Sequence, residues 1–449
     1  YTRVSVTFFF SLLLQSSSAQ TVVKASYWFP GSEFPVTDID SSLFTHLFCA
    51  FAELNYQNAS FFTISIQRNP SSVFHSNSTM SSTKIISLIV SVTFSFSLLL
   101  QSSSAQTVVK ASYWLSGSEF PVTDIDSSLF THLFCAFADL DYQTNQVTVS
   151  SANQAKFSTF TQTVQRRNPS VKTLLSIGGG DANKTAFASM ASNPSSRKSF
   201  SDSSISLARS YGFHGLDLDW ETPKNSAEMS DFGTLLQEWR SAVEAESTSS
   251  GKPRLLLTAA VCYSSNCDSV LYPVQAVSNS LDWVNLMAYD FYGPGWSRVT
   301  GPPAALYDPS NAGRSGDSGV KEWTEAGLPT KKAVLGFPYN GWSWTLANAN
   351  SNGYGAATNG PAISKDGSIR YIQLKSWIVE NKATTVHDDQ MVGDYSYAGT
   401  TWIGYDSEKS IVTKVRYAKQ KGLLGYFSWH VGNDDGSELS RAASQAWDT

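Results

Sequence analysis

Three acidic side chains alternate with apolar ones in the segment GLDLDWE, residues 215–221. Asp217, Asp219 and Glu221 occupy every second position, so in a β-strand their carboxylates would line one face, roughly 7 Å between alternate positions. Carboxylates crowded on a buried face raise one another's pKa, and one of them can then hold a proton near neutral pH. A protonated carboxyl beside ionised ones is suited to general acid catalysis on a glycosidic oxygen.

Two other interpretations of these carboxylates are open. A solvated acidic edge is disfavoured, because the apolar residues between the acids and the preceding Tyr211 and Phe213 indicate a buried strand. Oxygen ligands suit magnesium or calcium. Ligands from one strand would form an incomplete cage, however, and the sequence has no second acidic cluster of matching strength. The pattern therefore favours catalysis over metal binding, and we expect neither a metal ion nor a cofactor.

Further motifs surround this strand in the sequence. The segment HGLDLDWE, residues 214–221, resembles the signature strand of family 18 glycoside hydrolases, and most closely that of the plant class V chitinases. The resemblance covers most of residues 106–449 and includes, in order, SIGG at 176–179, MAYD at 287–290, LGFP at 335–338 and GYFSW at 425–429. It implies an endo-acting chitinase that hydrolyses β-1,4-linked N-acetylglucosamine chains.

The resemblance also implies a role for each residue of the site. Glu221 would protonate the glycosidic oxygen, while the substrate's own 2-acetamido oxygen, and no enzyme carboxylate, attacks the sugar with net retention. Asp219 would orient the acetamido N–H, and Asp217 would hold Asp219 and share a proton with it. Tyr289 would donate to the acetamido carbonyl. The further substrate contacts that the resemblance implies are Trp429 beneath the distorted ring, Asp290, Tyr113, Phe137, Ser176, Met287 and, on the leaving-group side, Trp296.

Some of these positions allow a purely structural role, and two others depart from the family pattern. Trp429 and Phe137 could be core residues, and Tyr289 could be a hydrogen-bonded core tyrosine. Thr222 and Asn340 stand where the family usually has tyrosine, so aromatic surface is lost beside the expected cleft. The acid is intact, so we expect activity, with a lower rate or a changed chain-length preference left open.

Two other functions stay open for such a cleft. A chitin-binding lectin would use the same barrel without turnover, but lectins of that group usually lose an acid of the signature, whereas Asp217, Asp219 and Glu221 are all present. A hydrolase of lipo-chitooligosaccharide signals would cleave the same linkage. In each case the expected partner is chitin or a chitooligosaccharide.

Short apolar runs alternate with longer, helix-compatible stretches, and this pattern predicts the elements that position the site. We predict strands at residues 108–114, 132–137, 172–177, 215–220, 255–260, 283–288, 333–337 and 423–427. The alternation is typical of an α/β fold of the (β/α)8 TIM-barrel class, and the family resemblance fixes the count at eight. Residues 341–408 resemble the small α+β insertion domain of the plant enzymes, between strands seven and eight, with strands predicted at 368–373 and 400–405. Barrel enzymes place their chemistry at the C-terminal ends of the strands, where the motif residues lie.

An internal repeat occupies the N-terminal part of the chain. Residues 11–28 recur unchanged as residues 97–114, and residues 31–52 recur as residues 117–138. Residues 80–105, which begin with Met80 and continue into an apolar run that ends in small residues, predict a secretory signal peptide. We therefore expect residues 1–79 to be a partial duplicate outside the fold, and residues 106–340 and 409–449 to form the catalytic barrel. The product would be a monomer that is secreted to the extracellular space, with a vacuolar location left open.

Composition is consistent with a neutral glycan as partner. The formal net charge of −5 argues against nucleic acid, and 13 Trp, 19 Tyr and 26 Phe provide aromatic surface for stacking on sugar rings. We expect no membrane association after signal cleavage. Cys262 and Cys267 are close enough in sequence for a small disulfide loop, Cys135 is predicted to be a buried thiol, and Asn183 begins a glycosylation sequon.

Overall fold

The structure is a computed structural model that describes residues 25–28, 46–49, 108–310 and 313–449. The chain divides into two compact units, Tyr1–Ser103 and Ser104–Thr449. The described residues of the first unit form two strands, Ala25–Trp28 and His46–Cys49, which pair in parallel. The rest of the expected partial duplicate at residues 1–79 lies outside the described residues, as does the expected signal peptide at residues 80–105.

Eight parallel strands of the second unit close into a barrel. In chain order they are Val109–Leu115, His132–Asp141, Lys172–Gly178, Gly215–Asp219, Leu256–Cys262, Trp283–Met287, Ala333–Pro338 and Gly425–Trp429. Each strand pairs with the next in this order, and the eighth pairs with the first. Every strand begins within two residues of its predicted position, and the predicted (β/α)8 barrel is confirmed.

Helices follow the strands and pack against the outside of the barrel. The described helices outside the insertion are Gln154–Gln165, Lys184–Ser192, Pro194–Ser210, Ser226–Ser250, Val274–Ser280, Gly316–Glu325, Glu408–Gln420 and Glu438–Asp448. The longest described helix, Ser226–Ser250, is capped at its N-terminus by Asn225, whose side chain accepts a hydrogen bond from Glu228 N, and at its C-terminus by Gly251, which adopts a φ of +67°. Buried apolar side chains hold the helices against the barrel. Burial of one such side chain, for example that of Phe200, stabilises the fold by roughly 1.5–3 kcal/mol.

A smaller sheet is inserted between the seventh and eighth barrel strands. Its strands are Asn340–Leu346, Thr358–Pro361, Ser368–Arg370, Thr384–Asp388, Gly393–Ala398 and Thr401–Tyr405, all paired antiparallel, and its helix is Tyr371–Glu380. The predicted α+β insertion domain is confirmed. The strand predicted at 368–373 is wrong beyond Arg370, because a helix begins at Tyr371, where the Gln373 side chain accepts a hydrogen bond from Arg370 N.

Short elements complete the described part of the chain. They are the strands Gln146–Thr148, Asn266–Cys267 and Val270–Leu271, and the 3-10 helices Val122–Asp124, Ser127–Leu129, Thr330–Lys332 and Val431–Asn433. A disulfide joins Cys262 to Cys267, and Cys135 is a buried thiol. Among the described helices, none has the length and apolar character that crossing a membrane requires.

Candidate active site

The fourth barrel strand presents apolar side chains to the helices and carboxylates to the barrel interior. Leu216 and Leu218 belong to the apolar cluster between the barrel and the helices. Asp217 and Asp219 lie on the opposite face, as the alternation along a strand requires, and both are buried. Glu221, two residues beyond the end of the strand, is half-buried. The structure therefore gathers the three acids at the C-terminal end of the barrel.

Hydroxyl groups from three other barrel strands hold the carboxylate of Asp217. Tyr113 Oη and Ser176 Oγ donate to its Oδ2 at 2.9 and 2.7 Å, and Thr258 Oγ1 donates to its Oδ1 at 2.6 Å. Asn285 Nδ2 donates in turn to Tyr113 Oη at 2.9 Å. Burial raises the pKa of Asp217, and the three hydroxyl donors oppose that rise. These bonds fix the position of the carboxylate.

Thr258 and Asn285 are site residues that the sequence reasoning missed. Each is a polar residue in an otherwise apolar barrel strand, LLTAAVC and WVNLM, and each is fully buried. Buried polar groups in a core strand require hydrogen-bond partners, and this is the signal that could have identified both residues.

Asp219 lies between the other two acids and has unused hydrogen-bonding capacity. Its Oδ1 is buried, and within the described part of the chain it has no hydrogen-bond partner. Burial raises the pKa of Asp219 well above its ordinary value, and the charges of Glu221 and Asp217 raise it further. A buried polar atom without a partner is unfavourable in the free protein, and a ligand can supply the missing hydrogen bond.

The pKa of Glu221, the expected general acid, is raised above its ordinary value. Burial raises its pKa, the positive charge of Lys184 lowers it, and the negative charges of Asp290 and Asp181 raise it again. A Cβ atom at Gly180 would lie 3.4 Å from Glu221 Oε1, so the loop after the third strand runs directly beside the carboxyl. A carboxyl whose pKa is raised is suited to donate a proton to a leaving group.

Tyr289 and Asp290 follow the sixth strand and complete the polar part of the pocket. Burial raises the pKa of Tyr289 well above its ordinary value, and the charge of Asp219 adds to the rise, so the phenol keeps its proton at neutral pH and is available as a hydrogen-bond donor. Asp290 adopts a φ of +58°, and its Oδ1 accepts a 2.7 Å hydrogen bond from Trp342 Nε1. Burial raises the pKa of Asp290, and this hydrogen bond opposes the rise.

Aromatic rings form the floor of the pocket. The ring of Trp429 lies 5.6 Å from that of Phe137, stacked, and 5.6 Å from that of Tyr113, edge to face. Trp429, Phe137 and Met287 are half-buried, so part of their surface is open. Gly179 is required beside them, because a Cβ atom there would meet the Phe137 ring at 2.6 Å and its φ is +93°.

A pair of tryptophans stands at the edge of the same pocket. Trp296 is 52% exposed, its Nε1 donates to the carbonyl oxygen of Asp290 at 3.1 Å, and its ring meets that of Trp342 edge to face at 5.0 Å. The sequence reasoning missed Trp342, whose only signal is that it lies four residues after Pro338 at the end of the seventh barrel strand. Asn340, one of the positions that depart from the family pattern, pairs with Arg370 in the insertion sheet.

Known proteins resemble this chain in sequence and in fold. The family model for glycosyl hydrolases family 18 matches residues 106–434. A class V chitinase of Arabidopsis thaliana is 78% identical over 369 residues, which cover 82% of this chain and 97% of that protein. Nod factor hydrolase protein 1 of Medicago truncatula is 41% identical over 349 residues, which cover 76% of this chain and 90% of that protein.

A solved structure agrees with the arrangement of strands and helices. It is that of a mutant class V chitinase from Nicotiana tobaccum in complex with NAG4, which is 53% identical to this chain and superposes with a TM-score of 0.75. The superposition covers 76% of this chain and 99% of that one. The chain therefore belongs to family 18 of the glycosyl hydrolases, where it resembles the plant class V chitinases, and it is a glycoside hydrolase.

Proposed function

We propose that this chain is a secreted, endo-acting chitinase that hydrolyses β-1,4-linked N-acetylglucosamine chains with retention of configuration. The observation that carries the proposal is that Asp217 and Asp219 lie buried on one face of the fourth barrel strand, and that the half-buried Glu221 follows two residues beyond the end of that strand. The complex of the tobacco relative with NAG4 supports the same substrate class.

In the first step, Glu221 transfers its proton to the glycosidic oxygen. The bond between that oxygen and the anomeric carbon breaks, and the carbonyl oxygen of the substrate's acetamido group forms a new bond to the anomeric carbon. The product is an oxazolinium ion. In the second step water attacks the anomeric carbon, its proton passes to the Glu221 carboxylate, and the ring of the oxazolinium opens.

Three side chains hold the acetamido group during these steps. We assign the acetamido N–H to Asp219, since its Oδ1 is buried and lacks a partner among the described residues. Asp217, fixed by its hydroxyl donors, keeps Asp219 in place and shares a proton with it. The phenol of Tyr289 donates to the acetamido carbonyl, and a preorganised donor of this kind is typically worth about a hundredfold or more in rate.

Aromatic side chains bind the sugars on either side of the cleaved bond. Trp429 provides the floor beneath the distorted ring, with Phe137 stacked beside it. Trp296 provides an exposed face for the sugar on the leaving-group side. Rings of this kind bind the apolar faces of neutral sugars without a charged platform.

One alternative substrate is favoured by a specific finding. Nod factor hydrolase protein 1 is 41% identical to this chain, which supports a lipo-chitooligosaccharide as a second candidate. A lectin without turnover is less well supported, because all three acids of the signature are present. The main proposal has the better support, since the Arabidopsis chitinase is 78% identical.

Product analysis tests the proposal. The purified protein is incubated separately with an N-acetylglucosamine hexamer, with colloidal chitin and with a lipo-chitooligosaccharide, and products are separated by chromatography while proton NMR reports the first anomer formed. We expect internal cleavage of the hexamer and initial release of the β-anomer. Binding without any product would support the lectin, and cleavage of the lipid-linked oligomer alone would support the signal hydrolase.

A further inference from the structure

The loop between the third barrel strand and the helix Lys184–Ser192 carries a motif that the proposed reaction does not use. Asn183, Lys184 and Thr185 form an N-x-T sequon, and no other N-x-S/T sequence with a non-proline middle residue occurs in residues 108–449. Such a sequon is an acceptor for N-linked glycans when it is exposed in a secreted protein. All three residues are exposed.

The side chain of Asn183 is oriented so that a glycan can be attached without loss of structure. Its Oδ1 accepts a 3.0 Å hydrogen bond from Ala186 N and caps the helix. The glycan is carried by the other side-chain atom, Nδ2, which the cap does not use. Glycosylation therefore leaves the cap intact, a contact worth about 1 kcal/mol.

The same loop runs beside the catalytic acid. A Cβ atom at Gly180 would lie 3.4 Å from Glu221 Oε1. Three residues of chain span at most about 11 Å, so Asn183 cannot be far from the mouth of the cleft. The helix that follows is anchored there too, because the ring of Phe187 stacks on that of Trp220 at 6.1 Å.

We infer that Asn183 carries an N-linked glycan that stands at the rim of the catalytic cleft and favours soluble chains over packed, insoluble chitin as substrate. The donor is a lipid-pyrophosphate-linked oligosaccharide of the secretory pathway. The bond from Nδ2 to the first sugar carbon forms as the bond from that carbon to the pyrophosphate oxygen breaks. Nδ2 loses one proton, and the lipid pyrophosphate leaves with the electron pair.

The inference depends on the proposed secretion and on the proposed cleft. A free oligomer can enter a cleft with a crowded rim, whereas the surface of a chitin particle must approach the rim as a whole. A bulky, hydrated glycan at this position should therefore slow the reaction on particles more than the reaction on short oligomers.

Three substitutions distinguish the effect of the glycan from the effect of a change in the side chains of the sequon. Asn183→Asp removes the acceptor nitrogen and keeps a good helix cap, although it adds a negative charge. Thr185→Ala removes the sequon without a change of charge and leaves Asn183 in place. Thr185→Ser is the matched control, because it alters the same position and keeps the sequon.

The test uses the full chain, expressed in plant cells, with peptide mapping before and after enzymatic removal of N-glycans. We expect a glycan on Asn183 in the wild type and in Thr185→Ser, and none in the other two variants. The ratio of the rate on colloidal chitin to the rate on an N-acetylglucosamine tetramer should rise severalfold in both glycan-free variants. An unmodified Asn183 in secreted wild-type protein would overturn the inference, and an unchanged ratio would overturn the effect on substrate choice.

Two further outcomes are informative in their own right. If the chain reaches neither the medium nor the vacuole, entry into the secretory pathway by its own signal is refuted, and the same mapping on the chain fused behind a host secretory signal decides the glycan. If the protein hydrolyses neither substrate, the proposed function fails while the mapping result still stands.

Discussion

The indole Nε1 of Trp342 donates a 2.7 Å hydrogen bond to Oδ1 of Asp290, and this bond connects the insertion domain to the candidate active site. Trp342 lies in the strand Asn340–Leu346, whereas Asp290 follows the sixth barrel strand. The charge of Asp290 acts on the pKa of Glu221. The insertion sheet therefore fixes a carboxylate whose charge raises the pKa of Glu221, the proposed general acid.

Replacement of this donor should impair catalysis without unfolding the protein. Trp342→Phe keeps an aromatic ring and removes the N–H, and a hydrogen bond to a charged group is worth about 1.5–3 kcal/mol. We expect kcat/KM for an N-acetylglucosamine tetramer to fall by a factor of about ten to a hundred.

The matched control for this prediction is Trp377→Phe, which makes the same substitution in the helix Tyr371–Glu380 of the insertion domain. Steady-state kinetics of both variants, with circular dichroism to monitor folding, provide the measurement. Equal kinetics in wild type and Trp342→Phe would show that the hydrogen bond does not matter.

The acidic strand and the barrel strands could be predicted because they depend on local pattern. A period of two places Asp217 and Asp219 on one face whatever the rest of the chain does, and apolar runs reveal buried strands. Thr258 and Asn285 could not be placed in this way, because only closure of the barrel brings those single polar residues to Asp217 and Tyr113.

Long-range packing explains the remaining differences. The contact of Trp342 with Asp290 depends on how the insertion domain packs on the barrel, and no spacing in the sequence encodes that geometry. The strand predicted at 368–373 ends at Arg370 for a local reason, because the side chain of Gln373 caps a helix that begins at Tyr371. Tyr113 and Phe137 were found through family resemblance, and the structure places both beside Trp429.

The buried carboxyl of Asp219 should lower the free energy of unfolding at neutral pH. Its folded-state pKa is raised by burial and by Glu221 and Asp217, so the folded chain binds the proton more tightly than the unfolded chain. Protonated Asp219 therefore stabilises the folded chain fully at pH values below the unfolded pKa of about 3.9. This contribution to the free energy of unfolding is lost as the pH rises through the folded-state pKa.

Asp219→Asn removes this titration. We expect a higher melting temperature at neutral pH, by about 2–4 °C for each kcal/mol gained, and a strong loss of activity. Asp217→Asn is the control, and we expect it to lower the melting temperature. Hydroxyl groups donate to both oxygens of the Asp217 carboxylate, so the amide N–H of asparagine would face a donor instead of an acceptor. Calorimetry of both variants at acid and neutral pH checks the pair, and destabilisation of Asp219→Asn at neutral pH would contradict the assignment.

The N-terminus of the secreted product should lie near Gln106. The segment Val109–Leu115 is the first barrel strand, and the second begins at His132 after a short connection, so this copy of the repeat occupies the strand position without closing a long loop. N-terminal sequencing of protein from the culture medium provides the measurement. A mature start near Gln20, with the intervening residues retained, would refute the expected cleavage site.

The acetyl group of the substrate should be essential for cleavage. In the proposed reaction its oxygen is the nucleophile, so oligomers without any acetyl group should not be hydrolysed. A thiazoline analogue of the oxazolinium ion should inhibit as a mimic of the intermediate. Fully acetylated oligomers of the same length are the control, and efficient cleavage of the deacetylated oligomers would rule out substrate assistance.

The most direct test of the whole account is the effect of Glu221→Gln on hydrolysis and on binding, measured side by side. The amide has nearly the same volume but no acidic proton to transfer to the leaving group, and loss of a general acid typically costs about 10²–10⁴ in rate. Glu244→Gln, an exposed position in the helix Ser226–Ser250, is the matched control. We predict that Glu221→Gln binds an N-acetylglucosamine tetramer as the wild type does and that its hydrolysis falls by orders of magnitude, while Glu244→Gln is unaffected. Substantial hydrolysis by Glu221→Gln would contradict the central claim.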